Sequence, residues 1–214
     1  LFARAELYYG IRPFAAAIIC AGALCGIPIA PIAAGGLIGL FTMGLNMRNA
    51  LMYIFPFIIV CTVVFVLQQK NVKLNLIKSI LLVIASHLFS PLLLHMTTFD
   101  FILYTVSVIA SIILISVMRT AINLVLSYST RKHIAPEDVI CFAVCGTGVI
   151  LGIGDFFIAG LSLQRICALF IVALAAQCGG VGAGAASGCL LGFLQAAQFQ
   201  TAPYLSAVLG VCGA

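Results

Sequence analysis

Charged residues are scarce in this chain. Only 7% of its 214 residues are Asp, Glu, Lys or Arg, whereas an ordinary soluble domain carries about 25%. Ten basic and five acidic side chains cannot cover the surface of a water-soluble protein of this size. Disorder is excluded as well, because a disordered chain needs low hydrophobicity and 64% of these residues are hydrophobic. The composition therefore indicates a polytopic membrane protein.

Patterns that carry chemistry are also missing. The nine cysteines form no Cys-x-x-Cys pair and no Cys/His cluster, so we interpret them as small apolar packing residues rather than metal or redox groups. The basic residues form no dense patch, which argues against nucleic-acid binding. The sequence also lacks a nucleophile–base pair, a phosphate-binding loop and a soluble segment large enough for an active site. We expect no catalytic residue, cofactor or metal in this chain.

The charge-free stretches predict an all-α transmembrane bundle. A helix needs about 20 apolar residues to cross the bilayer, and Gly26-Ile27-Pro28, Gly179-Gly180 and Ala202-Pro203 provide breaks. We predict a single helical domain with about nine visible spans of ten in the whole region. Residues 1–9 are the tail of a first span, and the others lie near 13–26, 28–45, 49–69, 79–99, 101–118, 137–154, 163–178, 181–198 and 203–214, the last cut short.

Basic residues collect in two loops that are separated by two spans. Lys70, Lys73 and Lys78 follow the third of these spans, and Arg131 and Lys132 follow the fifth. An even number of spans places both loops on one side of the membrane, and the positive-inside rule makes that side the cytoplasm. We therefore expect a multi-pass plasma-membrane protein with both ends of the full region in the cytoplasm.

The strongest local pattern is a glycine repeat. Gly180, Gly184, Gly188 and Gly192 recur every four residues along one helix face. In lipid, small residues let two helix backbones approach closely. We interpret the repeat as a tight helix–helix contact, either within the bundle or between self-associating chains. The alternative is a substrate path lined by glycine backbone.

Two histidines, His87 and His95, lie well inside one predicted span. An ionisable group at this depth is a candidate for function. No Asp or Glu is expected at the same depth, and a neutral imidazole is tolerated when it is hydrogen-bonded. A structural role is the main interpretation, and proton or ligand binding is the alternative.

Three blocks of residues resemble a known family. They are Arg4-Ala5 followed by Pro13-Phe14, the acidic start Pro136-Glu137-Asp138-Val-Ile-Cys, and Ala173-Leu-Ala-Ala-Gln-Cys-Gly179-Gly180-Val-Gly-Ala-Gly184 continuing through Gly188 and Gly192. The blocks resemble the N-terminal membrane region of the stage II sporulation protein E family. They lie at the beginning, middle and end of the chain, so the resemblance covers nearly all of it.

The resemblance implies that this chain supports a phosphatase and does not itself carry out the phosphatase reaction. In that family a ten-span membrane region precedes a cytoplasmic regulatory segment and a PP2C-type serine phosphatase, which uses Mn or Mg. The phosphatase dephosphorylates an anti-sigma factor antagonist and so activates the first forespore sigma factor. The family also acts at the polar division septum with the tubulin-like division protein. The chain is then expected to be the anchoring, localising and assembly module, in contact with the lipid bilayer.

The alternative function is a small-molecule transporter or channel. Secondary transporters often contain broken helices near the middle of the membrane, and Pro91 and the glycine-rich breaks permit such a structure. Ion-coupled transport usually also needs buried carboxylates, which the predicted spans lack.

The predicted orientation is testable by cysteine labelling in a background without the nine native cysteines. Lys73→Cys and Lys132→Cys should be protected from an impermeant maleimide applied outside the cell, whereas Asp100→Cys and Asp155→Cys should react. External labelling at position 73 or 132 would contradict the orientation, because both positions lie in loops assigned to the cytoplasm.

Overall fold

Helices make up almost all of the described structure. The structure is a computed structural model, and it describes residues 1–7, 11–42, 47–72, 74–93, 97–127, 135–154, 157–158, 161–199 and 204–213. A 3-10 helix at Phe2–Arg4 is followed by α1 Phe14–Leu24, α2 Ile29–Phe41, α3 Met47–Gln69, α4 Leu76–Leu93, α5 Thr98–Ser127, α6 Pro136–Ile153, β1 Phe157–Ile158, β2 Leu161–Ser162, α7 Leu163–Phe199 and α8 Tyr204–Gly213.

The all-α class is confirmed, apart from one minimal antiparallel pair in which β1 and β2 contribute two residues each. Four helices in the described part of the chain are long and apolar enough to cross a membrane: Leu51–Gln69 within α3, Thr98–Ser127, Pro136–Ile153 and Leu163–Ala196 within α7. Shorter apolar helices occupy Phe14–Leu24, Ile29–Phe41 and Leu76–Phe89. The count of nine crossings stays a prediction.

Helices α1 and α2 are shorter than the spans predicted for them. They contain 11 and 13 residues and are therefore about 16 and 20 Å long, less than the ~30 Å hydrocarbon layer. The chain between them turns at Gly26, which has a φ of 77°, and Pro28 then takes an extended conformation before α2. The break takes up residues 25–28, and α2 also ends at Phe41, four residues before the predicted end.

The contacts divide the chain into two compact units. The N-terminal unit consists of Ile11–Arg119 with Phe2–Arg4, and the C-terminal unit consists of Thr120–Ala214 with Leu1 and Ala5–Gly10. Each unit has its own packing. The assignment of one helical domain to residues 1–214 stays a prediction.

Gln68 joins the end of α3 to the turn between α1 and α2 in the N-terminal unit. Its amide nitrogen donates a hydrogen bond to the Ile27 carbonyl oxygen at 2.9 Å, and its amide oxygen accepts one from the Ile29 N–H at 3.3 Å. The turn contains backbone groups that no helix pairs, and these are costly to leave unpaired in an apolar medium. The α1–α2 turn and the end of α3 therefore lie at the same end of this unit.

Glycines bring the same helices together, α2 and α3 at mid-length and α1 and α2 next to their turn. A β-carbon at Gly36 of α2 would overlap the ring of Phe57 on α3, and one at Gly22 of α1 would lie 2.6 Å from the Ile32 side chain of α2. Phe57 is almost fully buried, at 1% exposure. These contacts explain how two short helices pack on a longer one.

Helix α5 begins three residues before the predicted span 101–118 and ends at Ser127, within the extension to about Tyr128 that the sequence permits. Its first turn is closed by Thr97 and Asp100. The Thr97 backbone N–H donates to the Asp100 carboxylate at 3.3 Å, and the Asp100 N–H donates back to the Thr97 hydroxyl at 3.3 Å. This reciprocal arrangement is a capping box, and it places the start at Thr98 rather than after the charge. Asp100 is thus part of the helix start.

We predict that the Gln68 contacts stabilise the N-terminal unit. Gln68→Leu should lower the unfolding free energy by about 1–2 kcal/mol, because interhelical hydrogen bonds in membranes contribute roughly 0.6 kcal/mol on average and up to ~1.7. Gln69→Leu is the matched control, since Gln69 is the exposed neighbour on the same helix. Both variants can be compared by unfolding in mixed SDS micelles, and equal stability of the two would refute the prediction.

Candidate functional site

Helix α7 reverses direction at Gly180. This glycine has φ 78° and ψ 179°, a conformation that is open to glycine and costly for a residue with a β-carbon. It separates a first arm, residues 163–179, from a second arm, residues 181–199. In a straight helix Ala176 and Gly184 would lie about 12 Å apart, yet a β-carbon at Gly184 would lie 2.8 Å from the Ala176 Cα atom. The two arms therefore fold back against each other.

Helix α8 packs against the second arm through glycines on both sides. A β-carbon at Gly184 would overlap the Gly213 carbonyl oxygen, and one at Gly213 would overlap the Gly184 carbonyl oxygen. One turn further along, a β-carbon at Gly188 would overlap the Leu209 carbonyl oxygen, while one at Gly210 would lie 2.5 Å from the Cys189 sulfur. We call this contact, formed by Gly184, Gly188, Gly210 and Gly213, the α7–α8 seam. Backbone meets backbone at Gly184, Gly188 and Gly213, whereas Gly210 lies against the Cys189 side chain.

The seam rests on a core to which α6, both arms of α7 and α8 contribute. Ile150 of α6, Ala168 and Val172 of the first arm, Leu191 of the second arm and Leu209 of α8 form one buried cluster. Because residues from both arms lie in the same cluster, the fold of α7 and the seam depend on the same packing.

Helix α6 supports the first arm. A β-carbon at Gly179 would lie 3.3 Å from the Val139 side chain, and one at Gly146 would lie 2.5 Å from the Ile171 side chain. Small residues again set the distance between the helices.

The members of the glycine repeat have different positions in the structure. Gly184 and Gly188 lie in the seam, and their partner helix belongs to the same chain. Gly180 does not lie against another helix: a β-carbon there would have no atom within 4 Å, and its positive φ serves the reversal. Gly192 is buried. Sequence reasoning missed Gly210 and Gly213, although their spacing of three residues on the last helix is a signal for close contact.

In the N-terminal unit His87 is buried, at 5% exposure. Its Nδ1 lies 2.8 Å from the Val83 carbonyl oxygen, which places a proton on that nitrogen, and 3.3 Å from the Ser86 hydroxyl. The Tyr104 hydroxyl donates to the His87 carbonyl oxygen at 3.1 Å, and the two rings are 5.5 Å apart. The imidazole therefore has polar partners inside the unit.

The same layer contains a buried cation, Arg12, which lies in the loop between the predicted spans 1–9 and 13–26. Arg12 is 6% exposed, and its guanidinium carbon lies 5.9 Å from the centre of the Tyr53 ring. The Tyr53 ring in turn is 6.5 Å from that of Tyr104. Tyr53 and Tyr104 each follow the start of their helix by six residues, and His87 precedes the end of α4 by six. Arg12, two tyrosines and His87 thus form a polar and aromatic layer about 9 Å inside those helix ends.

Of the remaining residues proposed from the sequence, the structure describes Lys70 and Lys78. Lys70 at the end of α3 and Lys78 in the first turn of α4 are both exposed. His95, Lys73, Arg131 and Lys132 lie outside the described residues. Among the described residues no group of three or more His, Cys, Asp or Glu side chains is placed to hold a metal ion.

A known protein family matches this chain of apolar helices and small packing residues. The family model described as SpoIIE, N-terminal domain, matches residues 1–213. The chain belongs to this family. No curated protein and no solved structure matches it. As a SpoIIE N-terminal domain it is a sporulation membrane region, and the match covers both the polar layer and the α7–α8 seam.

The seam predicts that alanine substitutions at three nearby glycines change stability by different amounts. Gly184→Ala should lower the unfolding free energy by about 1–3 kcal/mol, because overpacking of this size forces helices apart. Gly180→Ala should cost about 1–3 kcal/mol through its backbone conformation alone, because this combination of φ and ψ is essentially restricted to glycine. Gly182→Ala is the control: it has no atom within 4 Å of a β-carbon and should be neutral or gain up to about 1 kcal/mol of helix propensity.

The three variants can be compared by SDS unfolding of the purified SpoIIE N-terminal domain in micelles. If Gly184→Ala is as stable as Gly182→Ala, the backbones do not meet at the seam.

Proposed function

We propose that this chain is the membrane anchor and assembly module of a sporulation-specific serine phosphatase that acts at the polar division septum. The proposal is carried by the family match over residues 1–213, which assigns the whole chain to the membrane region. The phosphatase, with its Mn or Mg, would lie in the cytoplasm beyond this region. It would activate the first forespore sigma factor by acting on a phosphorylated anti-sigma factor antagonist.

The outer faces of the helices support residence in lipid. Large apolar side chains are freely exposed on several of them, including Phe41 on α2 at 74%, Phe170 on α7 at 64% and Val211 on α8 at 76%. A soluble monomer rarely exposes extended apolar surface, whereas in a bilayer these side chains contact acyl chains at no cost. Basic Lys70 and Lys78 are exposed at helix ends, where cations can reach the headgroups.

The packing of the C-terminal unit supports a role in assembly rather than transport. Broken helices in transporters usually line a polar site for substrate or ion. The break at Gly180 instead allows two arms to pack together, and the neighbouring cavity has an apolar lining. A closely packed bundle of this kind suits a module that holds a cytoplasmic domain. The tubulin-like division protein would be contacted by downstream segments.

The test uses the full-length protein in a sporulating bacterium. Deletion of residues 1–213 should move the protein from the membrane fraction to the soluble fraction and abolish its septal localisation. Replacement of this region by an unrelated ten-span bundle should restore membrane attachment without restoring septal localisation, because attachment needs only apolar helices. Reporter activity from the forespore sigma factor is measured alongside.

Two results would overturn the proposal. Retention of the deleted protein at the membrane would show that the anchor lies elsewhere. Full septal localisation with the unrelated bundle would show that this region contributes attachment alone and no assembly function.

A further inference from the structure

An apolar cavity of about 350 Å³ lies within the C-terminal unit and is open on one side. Its walls come from three helices: Leu124 and Val125 of α5, Phe142 and Ala143 of α6, and Ile171 and Leu174 of the first arm of α7. We call this cavity the α5–α6–α7 groove. Two of these helices, α5 and α6, are long and apolar enough to cross a membrane, and the third wall is the first arm of α7.

We infer that this groove binds one acyl chain of a membrane phospholipid. The inference rests on the membrane residence proposed above and adds a defined lipid site to it. Its chemical basis is the lining, which presents hydrocarbon side chains and, at Cys178, a thiol. Such a surface offers a polar ligand or water no strong hydrogen-bonding group.

The surroundings of the groove suit a flexible hydrocarbon chain. Side chains from three helices bound the groove, and the remaining side is open. In a bilayer, the groups that meet such an opening are lipid acyl chains. One flexible hydrocarbon chain fits and meets apolar atoms on several sides, whereas an empty groove would forfeit those dispersion contacts.

The position of the groove suits a lipid whose headgroup stays in water. Val139, Phe142 and Ala143 belong to the first two turns of α6. That helix begins at Pro136, and the acidic Glu137 in its first turn is exposed. Charged residues at a helix end mark the membrane–water boundary. A chain in the groove therefore needs to extend only a short way to reach its headgroup.

The side facing the bilayer is open. Val125 is 60% exposed and Phe142 is 44% exposed, while Ala143 and Ala175 at the back of the groove are 1% and 3% exposed. A chain can therefore enter laterally from the lipid phase. The small alanines at the back provide the space that it occupies.

The experiment is photolabelling of the full-length protein in phosphatidylethanolamine–phosphatidylglycerol vesicles. The vesicles contain a trace of phosphatidylcholine with a diazirine in the middle of one acyl chain, and adducts are mapped by mass spectrometry. Leu174 should be labelled about tenfold more than Phe170, a ratio that corresponds to about 1.4 kcal/mol of preference. Random contact predicts the reverse, because Leu174 is 38% exposed and Phe170 64%.

Filling the groove provides the second arm of the test. Ala175→Leu should abolish the excess labelling at Leu174, and Ala143→Leu should do the same from the opposite wall. Ala173→Leu, at an exposed position of the same helix that does not line the groove, should leave labelling unchanged. If a filled variant does not fold, the ratio of labelling at Leu174 to that at Phe170 in the native protein tests the inference by itself.

Labelling in proportion to exposure would overturn the inference, as would excess labelling that survives in both folded filled variants. Labelling by a photoactivatable free fatty acid but not by the phospholipid would overturn it too. Resistance to carbonate extraction is measured on the same vesicles. Extraction of the protein by carbonate would contradict the proposed anchor, whereas a resistant protein with unselective labelling would contradict the groove alone.

Discussion

Close approach of two helix backbones is the condition on which the C-terminal unit depends. Lipid tails are as apolar as leucine, so burial of apolar surface gives helices no reason to associate in a bilayer. Contact must come from dispersion, which weakens within an ångström of separation. Gly184 meets Ala176 on one side and Gly213 on the other, so two interfaces depend on the absence of one side chain. The reversal at Gly180 brings those surfaces together.

In the N-terminal unit, polar contacts hold the helices together. Gln68 pairs the backbone of the α1–α2 turn, Tyr104 pairs the carbonyl oxygen of His87, and the Ser111 hydroxyl donates to the Pro13 carbonyl oxygen. Each bond joins segments far apart in the chain. Directional contacts of this kind define which helices are neighbours, whereas the glycine contacts define how near they come.

The sequence predicted the helices and their breaks better than it predicted which helices pack together. The break at Gly179–Gly180, the start of α6 at Pro136 and the helical class could be inferred because they follow from local backbone chemistry. The pairing of Gly184 with α8 could not, since a repeated glycine indicates close contact without naming the other helix. Arg12 was assigned to a loop for a similar reason: its charge is visible in the sequence, but the Tyr53 ring that covers it is 41 residues away.

A chain reversal made by one residue has a consequence for how this region tolerates insertion. Ordinary loops absorb added residues because they are not packed, but the two arms of α7 are joined by Gly180 alone. One residue inserted after it turns the second arm by about 100° relative to the first. Gly184 and Gly188 would then leave α8, and bulkier neighbours would replace them. The helical phase of residues 176–188 is therefore fixed, and length variation within this stretch is expected only in steps that restore the same face.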